Sequence, residues 1–514
     1  MNNSTKLTVF LLCVAIIGYG CDGQEGSLIN ERLEDNPLPI TEMSPGTADF
    51  SNYVSLGNSL TAGYMDGALY TSGQALSIPA LLANQLNEVG GTEGFNQPDI
   101  NSVDGFNTGV TPNPANNITL GRFKLDTGAR IPSPTINGEL PSLFTGDKTT
   151  LQNFGVPGII TGQMLTGATG GPAQGNPAFN ALYARFASNP GTSTILGDAI
   201  AAQPSFFSLW IGNNDVLGYA VSGASDENLL TDPAIFDQQY EAIIAQLIGN
   251  TTADGIVVNI PPFLGLAYFR AVPFQAIPVT RQTQADSING GYAAYNAGLQ
   301  AAFTNGAITE AEATRRTITF SLGVNAFVIE DESLTDLSGL GLPSIRQSEQ
   351  TDLFVLALGS ILGTDLGAGV VGVQAAVADQ FVLLPSEQQQ IEVARAAFNA
   401  TIAQAVTDNS ERLVLYDTNG FVAEGVSSAF LDIFGLSDGV PGVVVNRVEL
   451  TPDFTPTGVI STDGIHPNPR GNGLIVNDMI QVIEGKFGAT IPKVDVLDLP
   501  SVTVCAGDCV SQQQ

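Results

Sequence analysis

Three side chains of this chain have the types needed for nucleophilic acyl chemistry: Ser59, Asp463 and His466. His466 is the only histidine in 514 residues. A serine hydroxyl needs a base that titrates near neutral pH, and imidazole is the side chain suited to that task. Any histidine-assisted chemistry must therefore run through His466. Asp463, three positions earlier, is placed to accept from the other ring nitrogen, fix the tautomer and stabilise the imidazolium as it forms. Ser59 follows the apolar run Tyr53 to Leu56 across Gly57-Asn58, so a turn of small residues projects its oxygen from the end of a strand. Plainer readings stand beside these: Ser59 as a helix N-cap and Asp463 as the cap of a turn leading into a helix. Donors for a developing oxyanion are offered by the Asn214 amide and by the N–H groups of Gly158 and Ser59, each of which also reads as an ordinary turn residue. One histidine is too few for a multi-histidine zinc site, and no metal is expected.

Strand ends must deliver these groups. Short apolar runs at Tyr53–Leu56, Thr150–Val156, Pro204–Ile211, Ile256–Ile260 and Leu413–Tyr416 read as buried strands. The first three run into Gly57-Asn58-Ser59, Asn153 to Gly158, and Gly212-Asn213-Asn214-Asp215. Helical patterns lie between them: Leu76–Val89, Ala178–Ala187, Thr194–Ala202, a helix opened by Asp232-Pro233, and an amphipathic stretch after Gly471 reaching Ile483. The alternation predicts an α/β fold with a parallel sheet, helices on both faces and ligands at the carboxyl ends of the strands.

Two stretches break the rhythm. Residues 90–148 are rich in Gly, Asn, Pro and Thr and read as loops. Residues 263–409 hold a helix near Gly291–Phe303, a hairpin over Thr317–Ile329, an apolar Gly-rich run from Leu353 to Leu384, and a long helix from Ser386 with a Ser386/Gln389 capping box. Core packing is expected for the apolar run, with a lid over an apolar pocket as the alternative. Ala293-Ala294-Tyr295-Asn296-Ala297 and Ala396-Ala397-Phe398-Asn399-Ala400 are alike, which does not establish a repeat.

With 18 Lys and Arg against 50 Asp and Glu, the net charge of −32 repels nucleic acid, and no nucleic-acid partner is expected. Residues 1–21 have the charge, apolar run and small-residue ending of an export signal. Gly18-Tyr19-Gly20-Cys21 resembles a bacterial lipoprotein cleavage box, which implies lipidation of Cys21, a membrane partner through that anchor, and an outer-membrane or cell-surface address. If Cys21 is unmodified, the protein is secreted. Residues 22–48 read as a tether and 489–514 as a tail wrapping the surface, in which Cys505 and Cys509 are expected to form a local disulfide.

Four blocks together resemble those of the SGNH/GDSL hydrolases: Gly57-Asn58-Ser59-Leu60, Gly158, Gly212-Asn213-Asn214-Asp215 and Asp463-Gly464-Ile465-His466. The resemblance covers about 50–262 and 413–487, within a domain of 49–488. It implies a three-layer α/β/α sandwich that cleaves carboxylic esters through an acyl-enzyme without a cofactor. Ser59 would be the nucleophile, His466 the base and Asp463 its partner, with Ser59, Gly158 and Asn214 as the oxyanion hole. Asn58 departs from the Asp usual in the family, at a position that supports the turn. Lipid or other acyl esters are the expected substrates; the alternatives are an O-acetyl esterase acting on polysaccharide and a non-catalytic surface lipoprotein binding glycan or lipid.

Overall fold

The computed structural model describes residues 42–91, 93–107, 118–128, 131–419, 429–436 and 442–510. The expected signal, Cys21 and most of the tether lie outside the described residues. Five strands, β1 (Tyr53–Gly57), β2 (Asn153–Gly155), β3 (Phe206–Trp210), β4 (Asp254–Val258) and β5 (Leu413–Tyr416), pair in the order β5-β4-β3-β1-β2, every pair parallel. β1 and β3 are buried at all five positions each, which is why they read as unbroken apolar runs and do not alternate. The serine inside β3 is accommodated there, Ser208 and Tyr53 pairing through their hydroxyls at 2.7 Å. In register, Gly57 stands opposite both Trp210 and Gly155, so the turns leaving β1, β2 and β3 emerge at one level of the sheet edge.

The principal helices are α1 (Ser59–Ala62), α2 (Ile78–Asn87), α3 (Ile195–Ala201), α4 (Asn214–Val221), α5 (Pro233–Asn250), α6 (Gln282–Thr304), α7 (Pro385–Asp408) and α8 (Pro469–Phe487). The connection from β1 to β2 runs one way along the sheet and the later ones run the other. Right-handed crossovers therefore put α2 on one face and α3, α5 and α7 on the opposite face. α8 packs beside α2 and against β5, completing the layer. Because the direction of travel reverses at β1, the crevice between the ends of β1 and β3 is the topological switch point of the sheet.

The described residues from Pro45 onward belong to one compact unit. Thr47 N–H donates to Phe487 O at 2.8 Å and Ala48 is buried, which fixes this part of the expected tether against the end of α8. At the other end, the tail pairs with a hairpin formed by Phe123–Asp126 and Ile131–Pro134 inside the loop-rich stretch. Leu125 N–H donates to Thr503 O and Cys505 N–H to Leu125 O, and Cys505 is joined to Cys509. No described helix is long and apolar enough to cross a membrane.

The second insertion departs from expectation in two places, the hairpin and the start of its long helix. Gly323–Ala326 pairs with Gln275–Val279, and Val328–Glu330 with Ile345–Gln347, so Thr317–Ile329 is not a hairpin. Both partners lie outside the window that suggested it. α7 starts at Pro385, whose fixed φ suits the first helical position, so Ser386 cannot be the N-cap. Glu387 takes the place of Gln389, its carboxylate accepting from Leu384 N–H at 2.6 Å. The apolar run packs inward: Phe354, Leu358, Val371, Val377 and Val382 join Phe327 and Ile329 in a core separate from that of the sheet.

Candidate active site

α1 begins where β1 ends, and its N-cap is Asn58, whose Oδ1 accepts from Leu60 N–H at 3.2 Å. Asn58 therefore takes the capping role, and the Ser59 hydroxyl is directed elsewhere. Ser59 Oγ lies 2.9 Å from His466 Nε2. The Ser59 N–H occupies the first position of α1, where a helix offers no intrahelical acceptor.

His466 sits on a turn closed by Ser461 N–H donating to His466 O at 2.7 Å, just ahead of α8. The N-cap of α8 is Asn468, which accepts from Arg470 and Gly471 N–H, so Asp463 does not cap that helix. Asp463 Oδ2 lies 2.9 Å from His466 Nδ1, and Oδ1 accepts from the N–H groups of Ile465 and His466, both at 2.9 Å. Burial alone would raise the Asp463 carboxyl; the His466 charge and these hydrogen bonds outweigh it and hold the group down at about 2. Asp463 is thus ionised whenever the imidazole needs a partner. The Tyr64 ring stands 5.1 Å from the imidazole, centroid to centroid.

Asn214 opens α4 at the end of β3, its Nδ2 donating to Ile159 O at 2.8 Å. A carboxamide carries two N–H bonds, so this contact orients the group and leaves a second donor direction. The neighbouring Asp215 is buried and accepts from Thr161 N–H and Oγ1 and from Thr231 Oγ1, tying the loop after β2 to the start of α4. Burial, opposed by those hydrogen bonds, pushes its carboxyl up to about 6. Gly158 lies on that loop with φ +79°, a conformation favouring glycine, and is exposed with nothing near the place a Cβ would take.

Ser59, His466 and Asn214 line one cavity of about 40 Å³ whose remaining walls are mostly apolar, among them Leu217, Phe263, Leu266, Phe430 and Ile465. Gly158 is outside that lining. Phe263 and Leu266 come from the first turn of the second insertion, so that turn walls the cavity and the apolar run from Leu353 does not. Among the described residues, Glu332, Asp379 and Glu387 gather carboxylate oxygens within 4.8 Å of one another, and none of the three lines that cavity.

One part of the site escapes sequence reading. Asp66 and Gly67 form a tight turn closed by two hydrogen bonds between Met65 and Ala68, both residues at positive φ. Gly67 N–H donates to Asp463 Oδ2 at 3.1 Å. The Asp-Gly dipeptide is a signal for such a turn, but nothing local connects it to a residue almost 400 positions away.

No protein-family model and no curated protein sequence matches the chain. Among solved structures, an extracellular lipase from Streptomyces rimosus is similar at 12% identity over 85% of this chain and 99% of that one, with a TM-score of 0.27. A likeness that remote carries no argument about this chain's chemistry.

Proposed function

We propose that this chain is a serine hydrolase of the SGNH/GDSL type that cleaves carboxylic esters. The observation that carries the proposal is the linear array Ser59 Oγ, His466 Nε2, His466 Nδ1, Asp463 Oδ2, with 2.9 Å at each junction between residues. In the proposed reaction Ser59 Oγ attacks the acyl carbon as its proton passes to His466 Nε2, and Asp463 stabilises the imidazolium. The oxyanion is met by Ser59 N–H, the Asn214 amide and Gly158 N–H. Collapse breaks the bond to the alcohol, which leaves with the proton from His466. Water then attacks the acyl-enzyme by the same route, its proton passing through His466 back to Ser59.

The apolar walls favour an acyl group as the buried part of the substrate. The second reading, removal of acetyl groups from polysaccharide, places the shortest acyl group against those walls. Activity rising with acyl length selects the lipid reading; acetate release from acetylated glycan without long-chain activity selects the other. Ser59→Ala and His466→Ala are each expected to abolish hydrolysis of a short p-nitrophenyl ester, and retained turnover in either variant would sink the proposal. We further propose anchoring through lipidated Cys21, which would hold the enzyme at a membrane surface.

A further inference from the structure

The carboxylate of Asp463 has four lone-pair sites and four donors: Ile465 N–H and His466 N–H on Oδ1, Gly67 N–H and the His466 Nδ1 hydrogen on Oδ2. Three of these donors belong to the turn that carries Asp463; among the described residues, only Gly67 holds it from outside. The turn bearing Gly67 is locked to the same segment by its neighbour. Asp66 N–H donates to Ser461 Oγ at 3.1 Å, and Asp66 Oδ1 accepts from both Thr462 N–H (3.0 Å) and Thr462 Oγ1 (2.7 Å). Asp66, Ser461 and Thr462 are all buried.

A buried carboxylate is costly unless its remaining sites are filled. Here Tyr70 OH donates to Asp66 Oδ2 at 2.8 Å, and Arg122 stands 3.8 Å from the same oxygen with its guanidinium 4.3 Å above the Tyr70 ring. Phe123 N–H donates to Asp66 O at 2.7 Å, while the Phe123 ring lies 2.7 Å from where a Cβ on Gly67 would fall. The loop-rich stretch thus backs the turn from behind, and a side chain at Gly67 would collide with it.

We propose that Asp66 and the Gly67 N–H act as a positioning clamp, fixing the Ser461–Asp463 segment and, through Asp463, the tautomer and direction of His466. The consequence for catalysis rests on the hydrolase reading above; the clamp itself does not. Because His466 is the only histidine, histidine-selective ¹⁵N labelling reports on that ring alone. In D66A the Thr462 N–H loses its acceptor, and Thr462 Oγ1 keeps only Phe123 O at 3.2 Å. We expect kcat on p-nitrophenyl acetate to fall about 10- to 100-fold with KM within about twofold, as for a small misplacement of reacting groups. The low-field His466 Nδ1–H resonance should broaden or shift upfield. D66N keeps an acceptor for Thr462 and should restore most of the rate and the resonance. D66A with the wild-type kcat and an unchanged resonance overturns the proposal. If D66A does not fold, T462V, which deletes one donor to Asp66, carries the test, and an unchanged kcat and resonance again overturn it. A wild-type chain that cleaves no ester, with the resonance still broadened or shifted upfield in D66A, sinks the hydrolase reading and leaves the clamp standing.

Discussion

Asp463 carries the most legible chemistry of any residue here after Ser59 and His466. Its carboxyl is held at about 2 against an ordinary 3.8, so the sign follows directly: the folded state binds this proton more weakly than the unfolded chain. The resulting stabilisation is present above about pH 4 and is lost as pH falls through about 2, amounting to about 2 kcal/mol. D463N should therefore lose less stability than the wild type between pH 4.5 and 2.5, read from denaturant midpoints. Its kcat should fall on the order of 10⁴-fold, because an amide can present the wrong partner to the imidazole. Wild-type turnover in D463N would remove Asp463 from the proposed mechanism. A single histidine with an aspartate three residues before it made this pair readable in the sequence. Asp66 and Gly67 were not readable, since their significance lies in contacts to residues 461–463 that only folding creates. The capping role of Asn58 also needed the structure, because Asn58 and Ser59 are both good cap residues in adjacent positions.

Among the elements, α7 is where the second insertion returns to the sheet, and its first turn holds a testable electrostatic feature. Glu387 is buried beside Glu332 and Asp379. Burial first, then Glu332 and Asp379, push the Glu387 carboxyl up to about 8, and burial followed by Glu332 and Glu330 pushes that of Asp379 to about 6. With folded values raised, stability from this cluster is full below about pH 4 and is lost as pH rises toward 8. E387Q keeps an acceptor for Leu384 N–H and removes a buried charge, so its melting temperature should decline less between pH 5 and 8 than that of the wild type. An equal or steeper decline would contradict this account. The sheet strands were legible because burial on both faces leaves continuous apolar runs ending at glycine turns. Insertion strands were not, because Gly323–Ala326 and Val328–Glu330 find their partners outside the local window. The shared Ala-Ala-aromatic-Asn-Ala stretches mark a common local device: Asn296 brackets the N–H and C=O of Ile318, and Asn399 those of Ile260.

For the whole molecule, the governing feature is that the switch point of a parallel sheet brings residues from the two ends of the chain to one edge. Ser59 arrives on the turn after β1, Asn214 after β3, and His466 from the turn before α8, 407 positions from Ser59. The net charge of −32 repels nucleic acid at long range, and the membrane address is a proposal that rests on lipidation of Cys21. Cys21→Ser should move the protein from the membrane to the soluble fraction, and undiminished membrane association would refute the lipid anchor. The central claim, that Ser59 is an activated nucleophile, is tested most directly by fluorophosphonate labelling of the folded chain followed by mass spectrometry of the adduct. The account predicts one covalent adduct on Ser59 that disappears in S59A and H466A. An unlabelled wild-type chain, or an adduct that persists in S59A, would contradict it.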